Sequence, residues 1–430
     1  MSQTTYDLVL RECKLLESNN RNPEELVDIG IKNNFITSIS SSKSKNINKS
    51  AELEIDVQGK LVSPPFVESH IHLDSVLTVG EPRWNESGTL FEGIKIWGDR
   101  KRSITIDDVK ARAKKMLKQQ ATQGILYVRT HADVSEPQLI ALQALLEVRE
   151  EVKDWITLQV VAFPQDGVYS HPNNQSLLEE AVKMGADVVG GIPHYELTRE
   201  DGVRSVEKIF QLAQEYNRLI DIHCDEIDDE QSRFLEVVAA CGIRSGMKSR
   251  VTASHTTAFG SYNNAYAYKL MGFLQRAEIN FIANPLINIT LQGRGDSYPK
   301  RRGVTRVKEL WQQEINVSFG HDCVQDPWYI LGTGSMLDVA HMGLHICQMT
   351  GLREVNACYD MVTTNGAKTL HLEDDYGIEV NQEANLVVLN VDTAYDAIRD
   401  RSKPRYVISK GKLIASTVPE KTEWLGDKFL

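Results

Sequence analysis

The fold class predicted for this chain is α/β: a (β/α)8 barrel over residues 61–374, with a small β-sandwich domain built from both ends, residues 1–60 together with 375–430. Three observations predict it. Apolar runs alternate with amphipathic helical stretches from residue 61 to about 374, the pattern of a buried parallel sheet covered by helices. There are eight such runs, which fits a closed barrel; an open doubly wound sheet of eight strands is the runner-up. The third observation is that the C-terminal ends of these runs carry His, Asp, Gln or Asn, and barrel active sites are assembled at that end of the strands. A chain of 430 residues exceeds one ordinary domain. One barrel of about 250 residues or more and a smaller domain account for it.

In chain order, Tyr6–Leu10 and Val27–Ile31 alternate as strands do, and Phe35–Ile39 follows a turn. Residues 40–50, rich in Ser, Asn and Lys, read as a solvated loop. The barrel runs are Leu61–His72, Ile125–His131, Thr157–Gln165, Asp187–His194, Leu219–His223, Arg250–His255, Ile279–Pro285 and Ile315–Asp322. Helical periodicity falls on Ile106–Gln120, Pro137–Val152, Asn174–Met184, Val203–Gln214, Glu230–Cys241 and Ala265–Arg276. Strand patterns return at Ala384–Asn390, Pro404–Ser409 and Lys412–Ser416, with Lys410-Gly411-Lys412 as a hairpin turn. Two β-rich ends, each short of a core by itself, predict one small domain made from both.

A hydrophobic share of 41% and a charged share of 25% are those of an ordinary globular protein. The net charge of −11 excludes a basic nucleic-acid-binding surface. No apolar run approaches the roughly 20 residues of a membrane span, and the first residues show no basic segment followed by an apolar one. The six cysteines are scattered, with no C-x-x-C pair, so neither a thiolate zinc site nor a redox motif is signalled. A cytoplasmic enzyme with free thiols is expected.

The candidate chemistry begins at His70-Ile71-His72. Residues i and i+2 of a strand share a face, so the strand end aims two imidazoles at one point, and neutral imidazole is a common zinc and iron ligand. By itself such a pair is more often two surface histidines. The other strand ends alter that balance: His131, Gln165, His223 with Glu226, His255, Asn284, and His321 with Asp322. A catalytic metal takes three or four protein ligands and keeps a position for water. His70, His72, His223 and Asp322 supply three nitrogens and a carboxylate oxygen.

Several segments are more specific still: Phe66-Val-Glu-Ser-His-Ile-His-Leu-Asp74, Trp84-Asn-Glu-Ser-Gly-Thr-Leu-Phe-Glu-Gly93, Val161-Ala-Phe-Pro-Gln165, His223 to Arg233, Val251 to Thr257, Tyr298 to Gly303, and Gly320-His-Asp322 with Asp326-Pro-Trp328. In these the chain resembles the bacterial cytosine deaminases of the amidohydrolase superfamily, along nearly its whole length. The resemblance implies a barrel with a terminal β domain and one divalent metal ion per chain, iron or zinc with manganese compatible. It also implies hydrolytic loss of ammonia from a small pyrimidine base and a homo-oligomer. It implies His70, His72, His223 and Asp322 as ligands, Gln165 as the amide that reads the substrate, and Glu226 and His255, beside Asp322, as the groups that handle protons.

Those residue types suit the task. Deamination requires water at the ring carbon that bears the amino group, made electrophilic by protonation of N3. A partly desolvated Glu226 can supply that proton. The Gln165 amide offers one donor and one acceptor side by side, matching O2 and N1–H of cytosine. Phe163 and Trp328 are expected as apolar walls. His131 is expected to line the site or to orient a ligand, and Asp74 and Asp225 to play supporting roles.

The sequence departs from the family at one telling position. There the ligand aspartate is followed by a second aspartate; here the order is His321-Asp322-Cys323. Cysteine behaves as a small hydrophobe, so the wall near C5 of the base is expected to be roomier and less polar, and 5-methylcytosine to be accepted as well as or better than cytosine. Rival readings are deamination of another small N-heterocycle (isoguanine or a creatinine-like ring) or hydrolysis of a cyclic amide. The fourth run, Asp187–His194, has no lysine to bridge two metals, which disfavours the latter. A non-catalytic scaffold on the same fold is disfavoured because every ligand position is filled.

Overall fold

The computed structural model of the protein describes residues 6–16, 25–44, 50–420 and 422–426. Residues 45–49 of the expected loop, and residues 1–5 on which the reading of the N-terminus partly rests, lie outside the described residues. The chain divides into two compact units: Met1–Pro64 with Thr122–Gly124 and Ile378–Leu430, and Pro65–Ala121 with Ile125–Gly377.

The first unit is a sheet to which both termini contribute. Its N-terminal strands are β1 (Tyr6–Leu15), β2 (Val27–Lys32), β3 (Phe35–Ser41), β4 (Ala51–Asp56) and β5 (Leu61–Ser63). The long β1 pairs β2 on one edge and, on the other, first β4 and then β5. The shift falls at a bulge where Glu12 takes φ 52°, and a bulge bends its strand and lets it change layers. Leu8, Leu10, Ile29 and Ile31 of this half share one fully buried core with Leu386, Val388 and Ile408 from the other end of the chain.

The second unit is the barrel. Its strands are β6 (Phe66–Ile71), β7 (Ile125–Asp133), β8 (Thr157–Phe163), β9 (Val188–Gly191), β10 (Leu219–Cys224), β11 (Val251–His255), β12 (Asn280–Ala283) and β13 (Val317–Phe319), hydrogen-bonded in that order and all parallel. After the barrel, β14 (Leu386–Leu389), β15 (Pro404–Ser409) and β16 (Lys412–Ser416) complete the sheet of the first unit. The barrel closes just past its last strand. Asp322 N–H donates to His70 O at 2.7 Å and His72 N–H to Asp322 O at 3.2 Å. One turn lower, the buried Glu68 carboxylate accepts from the N–H groups of His70 (3.1 Å) and His321 (2.9 Å). A side chain thus substitutes for ladder bonds that a three-residue last strand cannot make. Gly320 lies at this seam because a Cβ there would meet Asn284 Oδ1 at 2.5 Å and His70 Cβ at 2.7 Å.

Before and between the strands run α1 (Leu90–Arg100), α2 (Ile106–Thr122), α3 (Ile140–Val152), α4 (Asn174–Lys183), α5 (Arg199–Glu215), α6 (Phe234–Ser245), α7 (Asn264–Ala277), α8 (Pro285–Leu291), α9 (Val307–Gln312) and α10 (Met336–Ile346). No helix among the described residues is long and apolar enough to cross a membrane.

The structure corrects several expected boundaries. The run Leu61–His72 is two strands, one in each unit, because Pro64 and Pro65 have no N–H to donate to a ladder. The helix expected from Pro137 begins at Ile140, since the Glu136 carboxylate takes the N–H groups of Gln138 and Ile140 and Leu139 adopts φ 53°. The helix expected from Val203 begins at Arg199, where Thr198 Oγ1 accepts from Asp201 N–H. The helix expected from Glu230 begins at Phe234. Asp225 at the end of β10 accepts from Ser232 Oγ and from the N–H groups of Phe234 and Leu235, so its carboxylate caps α6 from across the loop and frees residues 226–233 for the barrel mouth. Helices α1, α8, α9 and α10 are not anticipated by periodicity; two of them are a turn or two long, too short for a repeat to register.

Candidate active site

Alternation along the strands sends His70 of β6, His72 just beyond its end, His131 of β7, His223 of β10 and His255 of β11 to one point at the C-terminal end of the barrel. All five are buried. His72 Nε2 lies 3.1 Å from His223 Nε2. Asp322 Oδ1 lies 3.4 Å from His72 Nε2 and 3.7 Å from His70 Nε2. Ligand bonds of about 2.0–2.2 Å place the donor atoms of a tetrahedral site roughly 3.3–3.6 Å apart, and the three distances here, 3.1, 3.4 and 3.7 Å, bracket that range. His70 Nε2 has no hydrogen-bond partner among the described residues, a buried lone pair that a cation would satisfy. The donor set therefore fits a divalent ion.

The electrostatics agree. Burial, reinforced by neighbouring imidazoles, holds His70 and His223 well below the ordinary histidine range and His72 at about 3. Neutral imidazole is the form that binds metal. Burial lifts the Asp322 carboxyl to about 7, with Glu226 and Asp326 adding to it and His255 opposing; a bound cation would favour its ionised form.

The proposed proton-handling groups form a continuous row. His255 Nδ1 is 3.1 Å from Glu226 Oε1, and its Nε2 is 3.6 Å from Asp322 Oδ2. Burial opposes a charge on His255, but the two carboxylates outweigh it and its pKa is raised. The asparagines beyond β12 support the row, Asn288 Nδ2 lying 3.1 Å from His255 Nδ1 and Asn284 Nδ2 3.4 Å from Asp322 Oδ2. Asp225, His255, Thr256 and Asp322 take φ of 54°, 65°, 44° and 70°. Strained left-handed turns at strand ends are characteristic of functional sites, and of these residues His255 and Asp322 line the pocket, while Asp225 caps α6 and Thr256 bonds Thr305.

One pocket above this row is lined by His72, His223, Glu226, His255 and Asp322, and by Gln165, Cys323 and Trp328. Gln165 lies two residues past the end of β8 and is 6% exposed, and its side-chain amide makes no hydrogen bond to protein among the described residues. Trp328 leans on α1, with Nε1 donating to Leu90 O at 3.2 Å. Only glycine is compatible with that approach at residue 93, where a Cβ would sit 2.3 Å from the indole. Asp326 fixes the same turn by accepting from Trp328 and Tyr329 N–H.

One sequence expectation comes out differently. Phe163 is not among the pocket-lining residues. It is fully buried behind the site, stacked on the His223 ring at 4.0 Å and 20°, because as the last residue of β8 it points into the barrel, whereas Gln165 follows the turn outward. His131 sits against His70 at 4.0 Å, and neither of its nitrogens has a hydrogen-bond partner among the described residues. Sequence reasoning missed the apolar walls Leu90, Ile192, Ile287 and Leu291. Their only signal was position, each following a barrel strand in a loop or short helix at the mouth.

Comparisons with known proteins follow this geometry. The chain is 49% identical to 5-methylcytosine deaminase from Klebsiella pneumoniae in its crystal structure liganded with 5-fluorocytosine, with a TM-score of 0.93 over 97% of this chain and 99% of that one. The structure of the same enzyme with phosphonocytosine gives 48% identity and a TM-score of 0.92, over 96% and 100% of the two chains. N-isopropylammelide isopropyl amidohydrolase of Pseudomonas sp. (strain ADP) is 31% identical over 419 residues, 95% of this chain and 97% of that protein. With residues 53–415 matching the amidohydrolase family model, a span holding both the histidine cluster and Asp322, the chain belongs to the amidohydrolase family.

Proposed function

We propose that the protein is a hydrolytic deaminase of cytosines, converting 5-methylcytosine to thymine and cytosine to uracil, with ammonia as the second product. The observation that carries this reading is the meeting in one pocket of Gln165, Cys323 and the Glu226–His255–Asp322 row. Likeness over nearly the whole chain to a 5-methylcytosine deaminase supports it. His70, His72, His223 and Asp322 would hold one divalent ion, iron or zinc, with manganese also suited to the donor set. Bound there, such an ion lowers the pKa of a coordinated water from 15.7 toward about 7.

The chain's own residues do the rest. Gln165 orients the base, its N–H donating to O2 and its carbonyl accepting from N1–H. Glu226 gives a proton to N3, which makes C4 electrophilic. His255 takes the proton of the attacking water and, at hydrogen-bond distance from Glu226, can return it through that carboxyl to the departing amine. The C4–N bond breaks, the C4 hydroxyl gives its proton to Glu226 as the carbonyl forms, which restores the acid, and the atoms of water and cytosine balance uracil and ammonia.

Cys323, 4% exposed, lines the pocket beside Asp322, with Sγ 3.5 Å from Asp322 Oδ1. Burial pushes its thiol well above the ordinary range, so it faces the substrate as a neutral, compact group. A buried methyl contributes about 0.8 kcal/mol, roughly a fourfold preference before any relief of a clash with a carboxylate. The expected result is a kcat/KM for 5-methylcytosine at least equal to that for cytosine, with Cys323→Asp reversing the order. An unchanged ratio in the variant would remove selectivity from Cys323.

Gln165→Glu should raise KM by about 5- to 160-fold, since a second acceptor would face O2 of the base and an unmatched buried polar pair costs about 1–3 kcal/mol. The overall reading is tested by ammonia release from cytosine, 5-methylcytosine, isoguanine, creatinine and an N-alkylaminotriazine, on iron-, zinc- and manganese-loaded protein. The likeness to the N-isopropylammelide enzyme places the last substrate in the panel. Turnover of another ring with none of either cytosine would overturn the proposal. We further place the enzyme in the cytoplasm, on its six unpaired cysteines, and propose a homo-oligomer, which light scattering would test.

A further inference from the structure

Beneath the layer of metal-facing imidazoles lies a second layer of buried polar side chains: Arg129 on β7 and Asp221 on β10, each two residues before a histidine, and Thr252 on β11, three residues before His255. Ser254, on the same strand as Thr252, reaches up from it. All four are buried, Arg129, Asp221 and Ser254 completely. Arg129 Nη1 donates to Asp221 Oδ2 at 3.1 Å, and the guanidinium is further held by Gln159 Oε1 (3.1 Å) and Thr369 O (2.9 Å). Ser254 Oγ–H donates to the other Asp221 oxygen, Oδ1, at 2.5 Å. Ser254 Oγ also lies 3.2 Å from His70 Nδ1.

A hydroxyl has one hydrogen and two lone pairs. The Ser254 hydrogen goes to Asp221 Oδ1, while the other Asp221 oxygen accepts from the fully buried Arg129 guanidinium, which would otherwise lack a counter-charge. Ser254 can then only accept from His70. The imidazole hydrogen must sit on Nδ1, and Nε2, the atom facing Asp322, is left with its lone pair bare. Resting on the metal-centre reading above, we infer that Arg129, Asp221 and Ser254 are positioning residues that select the metal-binding tautomer of His70. Asp221 accepts at one oxygen from the guanidinium and at the other from the hydroxyl, so it couples the barrel interior to the ligand. Outer partners of metal-bound imidazoles act in this way generally.

The test measures metal affinity of metal-stripped protein by competition with a chromophoric chelator. Ser254→Ala should weaken binding by about 10- to 100-fold while the far-UV circular dichroism stays that of the parent. The same substitution made in an Asp221→Asn background should weaken affinity further by less than about twofold, because the link through which Ser254 acts is already broken. A loss of equal size in both backgrounds would mark a general loosening of the barrel and overturn the assignment. Unchanged affinity in Ser254→Ala would do the same. Asp221→Asn is the second variant: it leaves Ser254 free to donate to His70, so it should weaken binding at least as much as Ser254→Ala. Should the parent protein itself bind no ion, the metal-centre reading fails, an outcome distinct from a bound ion that is indifferent to Ser254.

Discussion

Glu226→Gln should keep its metal and lose turnover by about 10²- to 10⁴-fold, the usual contribution of a general acid–base group. The amide matches the carboxylate in size and still reaches His255 Nδ1, from which Glu226 Oε1 is 3.1 Å away. What it cannot do is carry a proton to N3 and a second to the leaving amine. The loss should therefore fall on kcat rather than on KM, since Gln165 and the apolar walls proposed to hold the base are untouched. Steady-state ammonia release with metal content measured on the same preparation checks this. A drop of less than tenfold, or a loss of metal in parallel, would move Glu226 out of the proton path.

His223→Ala should abolish both metal and activity. Its Nε2 stands 3.1 Å from His72 Nε2, so removing it opens the centre of the donor set, and the loss should exceed the roughly 10- to 100-fold that follows removal of an outer partner. The substitution also removes the ring on which Phe163 stacks at 4.0 Å, and some thermal destabilisation is expected from the cavity. Circular dichroism separates that effect from loss of the ion. Stoichiometric metal in a folded His223→Ala protein would refute the ligand assignment.

Phe163 and Gln165 show where sequence reasoning reaches its limit. Two residues apart and both at the end of the third barrel run, they were expected to face the substrate together. Period-two alternation holds only while the strand lasts. Pro164 ends it, so Phe163 stays behind the imidazoles and Gln165 turns into the pocket. The same limit explains Glu226. Its place three residues beyond His223 was legible; its hydrogen bond to His255 was not, because that depends on how Asp225 folds the loop back to cap α6.

By itself, the sequence determined the alternation of buried strands and helices, the contribution of both chain ends to one sheet, and the choice of strand ends that carry imidazole, amide and carboxylate. Those properties are local: apolar periodicity and polar residues at the close of each run are set within ten residues of chain. The tertiary structure alone decided which groups meet. The seam at His70 and Asp322, the contact of His72 with His223, the chain from Arg129 through Asp221 and Ser254 to His70 and the walls at Leu90 and Ile287 join residues from some 30 to 250 positions apart. Their distances follow from the register at which eight strands close into a ring. That register is fixed by packing and hydrogen bonding around the whole barrel, a property no single stretch of sequence carries.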